Sequence, residues 1–165
     1  MIPLSVLLVR GDRSGAQLRD LAPQANESQF HSVSHTRQLS AIAWSSVRVG
    51  VDIEIVRPRV HLTRLARRSM TDDEYERWQR AGESERDFLQ HWTRVEAYLK
   101  AIGTGVRGGL RARPPSNWRL VDLELTSDDS ATSSHDGTYV GAVAVEAPDP
   151  LLSVRWWGSA RGTSG

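Results

Sequence analysis

Two acidic side chains are predicted to project from one face of a strand near the middle of this 165-residue chain. Valine and isoleucine alternate with other residue types over residues 48–56, so Asp52 and Glu54 should share a face with Gly50. Gly50 would leave space beside the two carboxylates, which would lie roughly 6.5–7 Å apart along the strand. Like charges this close repel each other unless a cation lies between them, and a hard divalent metal is the simplest such cation.

Two further charged residues, Glu96 and Lys100, lie one turn apart on the longest predicted helix. Ser84 should cap this helix, which is expected to cover residues 85–102 and to end at Gly103. Lys100 is the single lysine among 21 basic residues. Such an acid–base pair is often only a surface ion pair, and paired acids on a strand are often only a solvated face. Spacing alone therefore leaves a shared site open.

The order of predicted elements, with strands first, then helices, then strands, indicates an α+β domain with an antiparallel, meander-like start. Strands are predicted at residues 4–10, 30–36, 39–46, 48–56, 118–126, 138–146 and 151–157. Helices are predicted at residues 16–21, 61–68, 71–80 (from a capping box at Thr71 and Glu74) and 85–102. Loops are predicted at residues 22–28 and 127–137, a flexible glycine-rich turn at residues 103–109, and a frayed tail at residues 159–165.

Composition excludes several classes of protein and site. The chain has no cysteine, so a disulfide framework and a thiolate metal site are excluded. Its net charge of +1 predicts no general attraction to nucleic acid or membranes. The apolar residues 1–9 indicate a strand and not a signal peptide, and no apolar run is long enough to span a bilayer. We therefore expect a cytoplasmic protein with a single domain over residues 1–158.

The order of residues around the charged pairs resembles the 4′-phosphopantetheinyl transferase superfamily. Residues 49–54 match its motif G-[VI]-D-[VI]-E. Residues 88–101 match F-x-x-x-W-[TSC]-x-K-E-A-x-x-K-A except at Val95, where the family has lysine, and a glycine turn follows at residues 103–105. Residues 30–36 resemble the segment F-[NS]-[LV]-S-H-[ST] that precedes the first motif in Sfp-type members. The paired motifs are specific at this separation.

The resemblance implies a transfer of 4′-phosphopantetheine from coenzyme A to a serine of an acyl or peptidyl carrier protein, as in holo-acyl-carrier-protein synthases. Asp52, Glu54 and Glu96 would ligate Mg²⁺, which would bridge the pyrophosphate of coenzyme A. Lys100 would contact that phosphate. Catalysis would rest on Asp52, Glu96 and Lys100, with Glu96 as the expected acceptor of the serine proton.

The same resemblance implies where the nucleotide binds and how the chain is organised. Ser34 and His35 would meet the 3′-phosphate end of coenzyme A. An antiparallel sheet would pack against a long helix in a pseudo-two-fold fold, with a reduced first half at residues 1–46 and a motif-bearing second half at residues 47–158. Both a monomer and a homo-oligomer fit this arrangement.

Two other functions stay open from the sequence. The short first half and Val95 also fit a catalytically weak or inactive relative that binds coenzyme A or a carrier protein. An unrelated phosphoesterase would use the same carboxylates, although no second metal site is visible. Arg57, Arg59, Arg64, Arg67 and Arg68 form a basic run that is either a solvated face or a dock for an acidic carrier protein.

Overall fold

The computed structural model describes residues 1–123, 125 and 138–157. Its strands are β1 (Ile2–Arg10), β2 (Phe30–His35), β3 (Leu39–Ser45), β4 (Val49–Ile55), β5 (Arg119–Asp122), β6 (Tyr139–Val145) and β7 (Pro150–Trp156). Its helices are α1 (Gly15–Leu21), α2 (Pro23–Glu27), α3 (Leu62–Ser69), α4 (Asp72–Arg80) and α5 (Glu85–Ala101), with a short 3₁₀ helix at Gly105–Gly108. The predicted α+β class is confirmed. Among the described residues, no helix has the length and apolar character needed to cross a bilayer.

The strands form two sheets. The first has the order β2-β3-β1-β7, in which β7 runs parallel to β1 and the other neighbours are antiparallel. The second has the order β4-β6-β5 and is antiparallel throughout. The expected meander is therefore wrong, because β1 pairs with β3 and β4 starts a new sheet. Both faces of β4 are covered in this arrangement, one by the first sheet and one by α5.

The main core lies between the two sheets. Val49, Val51 and Ile53 of β4 are buried there in one cluster with apolar residues of the first sheet. Fully burying an aliphatic side chain of this kind contributes roughly 1.5–3 kcal/mol. A second cluster covers the outer face of the first sheet with α1 and α2. The polar face of β4 consequently points away from the first sheet and toward α5.

The boundaries of α5 follow its sequence signals. The Ser84 hydroxyl accepts a hydrogen bond from the Asp87 amide at 3.3 Å, as predicted for the cap. At the other end, Gly103 has φ of 72° and donates its amide to the Lys100 carbonyl at 3.1 Å. This left-handed conformation is the one that glycine adopts without strain at a helix end. The helix itself ends at Ala101, one residue earlier than predicted.

Gly50 is the point of closest approach between β4 and α5. A Cβ atom built on Gly50 would lie 2.0 Å from the carbonyl oxygen of Ala97 and 2.6 Å from the amide nitrogen of Ala101. The prediction that Gly50 leaves open space is therefore wrong, since the helix backbone fills that space. The absence of a side chain lets α5 lie directly on β4. This contact also positions Glu96 and Lys100, which directly precede Ala97 and Ala101 in the helix.

Several local predictions need correction or lie outside the described part of the chain. Residues 22–28 were predicted to be a loop, but α2 forms there, because Pro23 suits a first helical turn and Ala25 is buried against the first sheet. The glycine-rich turn contains a 3₁₀ helix. The capping box of α4 is confirmed. The predictions for residues 127–137 and 159–165 lie outside the described residues.

We predict that Gly50→Ala lowers the free energy of unfolding by about 3 kcal/mol, because the added methyl group overlaps backbone atoms that cannot rotate away. Chemical denaturation of the two proteins measures the difference. Gly15→Ala is the matched control, since a Cβ there meets only the mobile end of Arg19 and a methyl group of Val33. Equal stability of Gly50→Ala and the unmodified protein would contradict the close approach.

Candidate functional site

The contact between β4 and α5 brings Asp52 and Lys100 together in an ion pair. The Lys100 ammonium donates to Oδ1 of Asp52 at 2.8 Å and to the carbonyl oxygens of Val51 at 3.1 Å and Val33 at 3.5 Å. An ammonium has three protons to donate, and here each faces an oxygen. Lys100 thus lies across β2 and β4 as the counter-ion of Asp52, with no proton directed elsewhere.

Asp52 is almost completely buried, with 7% of its surface exposed. Its Oδ1 atom also accepts a hydrogen bond from the Ser34 hydroxyl at 3.0 Å. Its other oxygen, Oδ2, is buried and has no hydrogen-bond partner among the described residues. Burial raises the pKa of Asp52 above its ordinary value, and this effect outweighs the opposing influence of Lys100 and Ser34. Oδ1 of Asp52 is therefore held by hydrogen bonds, and Oδ2 is available to a ligand.

Glu96 projects from α5 toward the same carboxylates. Its Oε1 atom is likewise buried, and no hydrogen-bond partner for it lies in the part of the chain that the structure describes. Burial raises the pKa of Glu96, and the negative charge of Asp52 raises it further, with a smaller contribution from Glu54. Lys100 acts in the opposite direction. Asp52 and Glu54 of β4 are therefore both close enough to Glu96 to influence its pKa.

Glu54 lies at the more open end of this environment and is paired with Arg59. The Arg59 guanidinium donates to Oε2 of Glu54 at 2.7 Å, and about a quarter of each side chain is exposed. Burial raises the pKa of Glu54 and the charge of Asp52 raises it as well, although Arg59 opposes both. The loop that carries Arg59 is held to α5 by a hydrogen bond from its amide to the Glu85 carboxylate.

The carboxylates fit a hard divalent cation by their chemistry, although they do not form a finished site. Among residues 1–123, 125 and 138–157, no group of three acidic or histidine side chains has the geometry of a metal centre. Buried polar atoms without partners are rare in folded proteins, and Asp52 Oδ2 and Glu96 Oε1 are two of them. A cation with oxygen ligands would satisfy both atoms and favour their charged forms. The metal role of Asp52, Glu54 and Glu96 stays a prediction.

The predicted nucleotide-binding pair has one buried and one exposed member. Ser34 has 5% of its surface exposed, and its hydroxyl is used within the protein by Asp52 and by the amide of Ile53. His35, the last residue of β2, is exposed. Contact of either residue with coenzyme A stays a prediction, and His35 is the one whose side chain is open to solvent.

Other cations near the second motif face elsewhere. Val95, at the position of the family lysine, is buried in the protein. Arg94 forms two hydrogen bonds with Asp122 of β5, at 2.8 Å and 2.5 Å. Arg94 and Asp122 line a separate cleft of about 530 Å³ between β5 and the start of β7. The cleft is therefore distinct from the carboxylate site.

Two residues of the site were not identified individually from the sequence. Arg59 was placed only in a basic run, although its position on the loop leaving β4, five residues after Glu54, would have been a usable signal. Ser32 lies two residues before Ser34, so both serines occupy one face of β2. The Ser32 hydroxyl accepts the Val51 amide at 3.1 Å. This repeated spacing is the signal that was missed.

We predict that Glu96→Gln stabilises the protein at pH 8 in the presence of a chelator by about 1 kcal/mol, because it removes a buried negative charge with an unpartnered oxygen. The folded pKa of Glu96 is raised, so its contribution to stability is largest below the unfolded pKa and is lost as the pH rises through the folded pKa. The loss of stability between pH 5 and pH 8 should therefore be smaller in the variant. Thermal unfolding across this range tests the prediction.

The control for that experiment is Glu76→Gln, which changes an exposed glutamate on α4 that pairs with Arg80 at 3.7 Å. Its stability should stay within about 0.5 kcal/mol of the unmodified protein at every pH. If Glu96→Gln behaves in the same way as Glu76→Gln, the carboxylate of Glu96 is not in the environment described above.

Comparison with known proteins assigns this arrangement to a family. The family model described as the 4′-phosphopantetheinyl transferase superfamily matches residues 48–147. The match includes β4, α5 and the four charged residues at their contact. It covers more than half of the chain and contains both motifs on which the resemblance was based.

Two curated relatives agree with the family model. The 4′-phosphopantetheinyl transferase HetI of a Nostoc species is 34% identical over 125 residues, which are 67% of this chain and 52% of that protein. A Synechocystis protein whose name gives the same activity provisionally is 27% identical over 135 residues, which are 70% of this chain and 55% of that protein. The chain spans about half the length of these relatives. It belongs to the 4′-phosphopantetheinyl transferase superfamily.

Proposed function

We propose that this chain transfers 4′-phosphopantetheine from coenzyme A to a serine of an acyl or peptidyl carrier protein in an Mg²⁺-dependent reaction, converting the apo carrier to the holo form. The observation that carries the proposal is the pair of buried, unpartnered oxygens Asp52 Oδ2 and Glu96 Oε1 at the contact between the two family motifs. The activity printed for HetI supports the class of reaction.

The proposed ligands of Mg²⁺ are Asp52, Glu54 and Glu96. When bound, the ion would neutralise charge on the pyrophosphate of coenzyme A. Such a role requires that Lys100 and Arg59 give up part of their pairing with Asp52 and Glu54. Both cations would then be close to the phosphates whose charge increases as the leaving group departs.

The chemical step follows from the chemistry of the substrates and of Glu96. The serine oxygen of the carrier attacks the phosphorus that bears pantetheine, the pyrophosphate P–O bond breaks, and adenosine 3′,5′-bisphosphate leaves. Glu96 accepts the serine proton, since it is the carboxylate of α5 that lies beside the proposed metal ligands of β4. Lys100 stabilises the negative charge that develops on the departing phosphate of adenosine 3′,5′-bisphosphate. His35, which is exposed, is proposed to meet the 3′-phosphate end of coenzyme A, whereas the neighbouring Ser34 is buried and its hydroxyl is directed at Asp52.

The proposed dock for the carrier is the arginine-rich surface, defined as Arg57, Arg59, Arg64, Arg67 and Arg68. Arg57 acts electrostatically on Glu54, so this surface begins beside the carboxylates. Arg67 stacks on Tyr75 at 4.4 Å and Arg59 pairs with Glu54, whereas Arg64 and Arg68 of α3 are exposed. No ion pair involves these last two arginines among the described residues. The exposed charges of Arg64 and Arg68 would be open to an acidic partner.

A second candidate is a binding module that holds coenzyme A or a carrier protein without catalysis. The observation that favours it is the pairing of Lys100 with Asp52 and of Arg59 with Glu54, which already neutralises two of the three acids.

Three further points stay predictions: the cytoplasmic location, the monomeric or homo-oligomeric state, and the division of the chain into halves between residues 46 and 47. β7 belongs by sequence to the predicted second half, but it is a strand of the first sheet.

We predict that purified protein with Mg²⁺ and coenzyme A increases the mass of an apo carrier protein by one phosphopantetheine, and that Glu96→Gln slows this transfer at least about a hundredfold. Mass spectrometry of the carrier over time measures both. Glu76→Gln is the control and should react at the unmodified rate. No mass increase with acyl, polyketide or peptidyl carriers would favour the binding module instead.

We also predict that the double variant Arg64→Glu/Arg68→Glu lowers kcat/KM for the carrier about tenfold while leaving the KM for coenzyme A unchanged, because charges at an interface act mainly on the encounter rate. The defect should shrink as salt is added. Arg13→Glu/Arg19→Glu makes the same change of charge beside α1 and serves as the control. Equal effects of the two double variants would show that only net charge matters.

A further inference from the structure

Two serines of β2 connect the first sheet to the second at the carboxylate site. The Ser32 hydroxyl accepts a hydrogen bond from the Val51 amide, with an N–O distance of 3.1 Å. The Ser34 hydroxyl accepts one from the Ile53 amide at 3.2 Å. β2 ends the first sheet and β4 ends the second, so these amides lie on the side of β4 that has no strand of its own sheet. The serine hydroxyls take the place of backbone acceptors and satisfy these amides.

Ser34 differs from Ser32 in one respect that bears on chemistry. Its hydroxyl also donates its single proton to Asp52 Oδ1 at 3.0 Å, in addition to accepting the Ile53 amide. The Lys100 ammonium of α5 donates a second hydrogen bond to the same oxygen, at 2.8 Å. Oδ1 is therefore held by two donors, while Oδ2 of the same carboxylate is buried without a partner. In the proposed reaction Lys100 turns to a phosphate, and the Ser34 hydroxyl is then the donor that keeps the carboxylate in this orientation.

We infer that Ser34 is a positioning residue that orients Asp52, so that the unpartnered Oδ2 is presented to the divalent cation. This inference rests on the proposed function, since it assumes that Asp52 is a ligand of that cation. Residues that hydrogen-bond to metal ligands fix the direction of the ligand and raise the affinity for the metal. The Ser34 proton is already committed to Asp52, so the hydroxyl has none left to donate to a phosphate of the nucleotide.

The test compares Ser34→Ala with Ser32→Ala, because each removes one acceptor for a β4 amide but only the first removes a contact with Asp52. Mn²⁺ serves as the probe, and the free ion is measured by electron paramagnetic resonance during titration of the full chain. We expect Ser34→Ala to weaken Mn²⁺ binding at least about tenfold and Ser32→Ala to change it less than about threefold. Ser34→Thr, which keeps a hydroxyl, should bind Mn²⁺ nearly as well as the unmodified protein.

A second measurement separates positioning from direct contact with the nucleotide. Calorimetric titration gives the affinities for coenzyme A and for 3′-dephospho-coenzyme A in the presence of Mg²⁺. A positioning role leaves the ratio of these two affinities the same in Ser34→Ala as in the unmodified protein, because both ligands carry the same pyrophosphate. A ratio that collapses toward one in Ser34→Ala would overturn the inference, since Ser34 would then contact the 3′-phosphate.

The remaining outcomes also decide the question. If Ser34→Ala and Ser32→Ala bind Mn²⁺ with the same affinity, whether unchanged or reduced, the inference is overturned. Ser34 would then act only as a structural link between the sheets. Failure of the proposed function is a separate result. If the unmodified protein binds Mn²⁺ but modifies no carrier, the transfer assay fails while the serine comparison still supports the positioning of Asp52.

Discussion

The approach of the α5 backbone to β4 at Gly50 is the constraint on which the rest of the site depends. A side chain at residue 50 would meet the backbone of Ala97 and Ala101, so only glycine permits this separation. The alternating pattern of β4 then places Asp52 and Glu54 on the face that meets the helix. One turn of α5 places Glu96 and Lys100 opposite them. The shared environment of these four residues is thus a consequence of one close contact.

That shared environment is electrostatically unfavourable unless cations are present. Burial raises the pKa of each of the three acids, and the charge of Asp52 raises the pKa of Glu54 and of Glu96 further. The chain supplies two cations of its own, Lys100 at Asp52 and Arg59 at Glu54, and no described group partners Oε1 of Glu96. Sites of this kind are common where function requires charge that stability alone would not favour. A stabilising effect of Glu96→Gln would be the physical signature of this conflict.

Local periodicity carried the sequence prediction as far as the acidic face of β4 and the boundaries of α5. The alternation of Val49, Val51 and Ile53 identified the core face correctly, and the spacing of Glu96 and Lys100 identified the helix edge. The motif order around them gave the family. These successes share one cause, since period and capping are properties of residues close together in sequence.

Features that depend on distant parts of the chain were not predicted. The parallel pairing of β7 with β1 joins the two ends of the described chain, and no local pattern indicates it. The role of Ser34 depends on β2 lying beside β4 without sharing its sheet, and sequence shows the serine but not that neighbour. Likewise, the hydrogen bond from the Arg59 amide to Glu85 joins the loop after β4 to the start of α5, and that contact spans 26 residues of sequence.

The central claim is that the contact between β4 and α5 is a divalent-cation site in which the cation replaces the pairing of Lys100 with Asp52. A crystal structure with Mn²⁺ and coenzyme A, with the metal located by its anomalous scattering, tests this claim most directly. The account predicts an anomalous peak bound by Asp52 Oδ2 and Glu96 Oε1, with the Lys100 ammonium moved from Asp52 to a phosphate. An anomalous peak elsewhere, with Lys100 still bonded to Asp52, would contradict it.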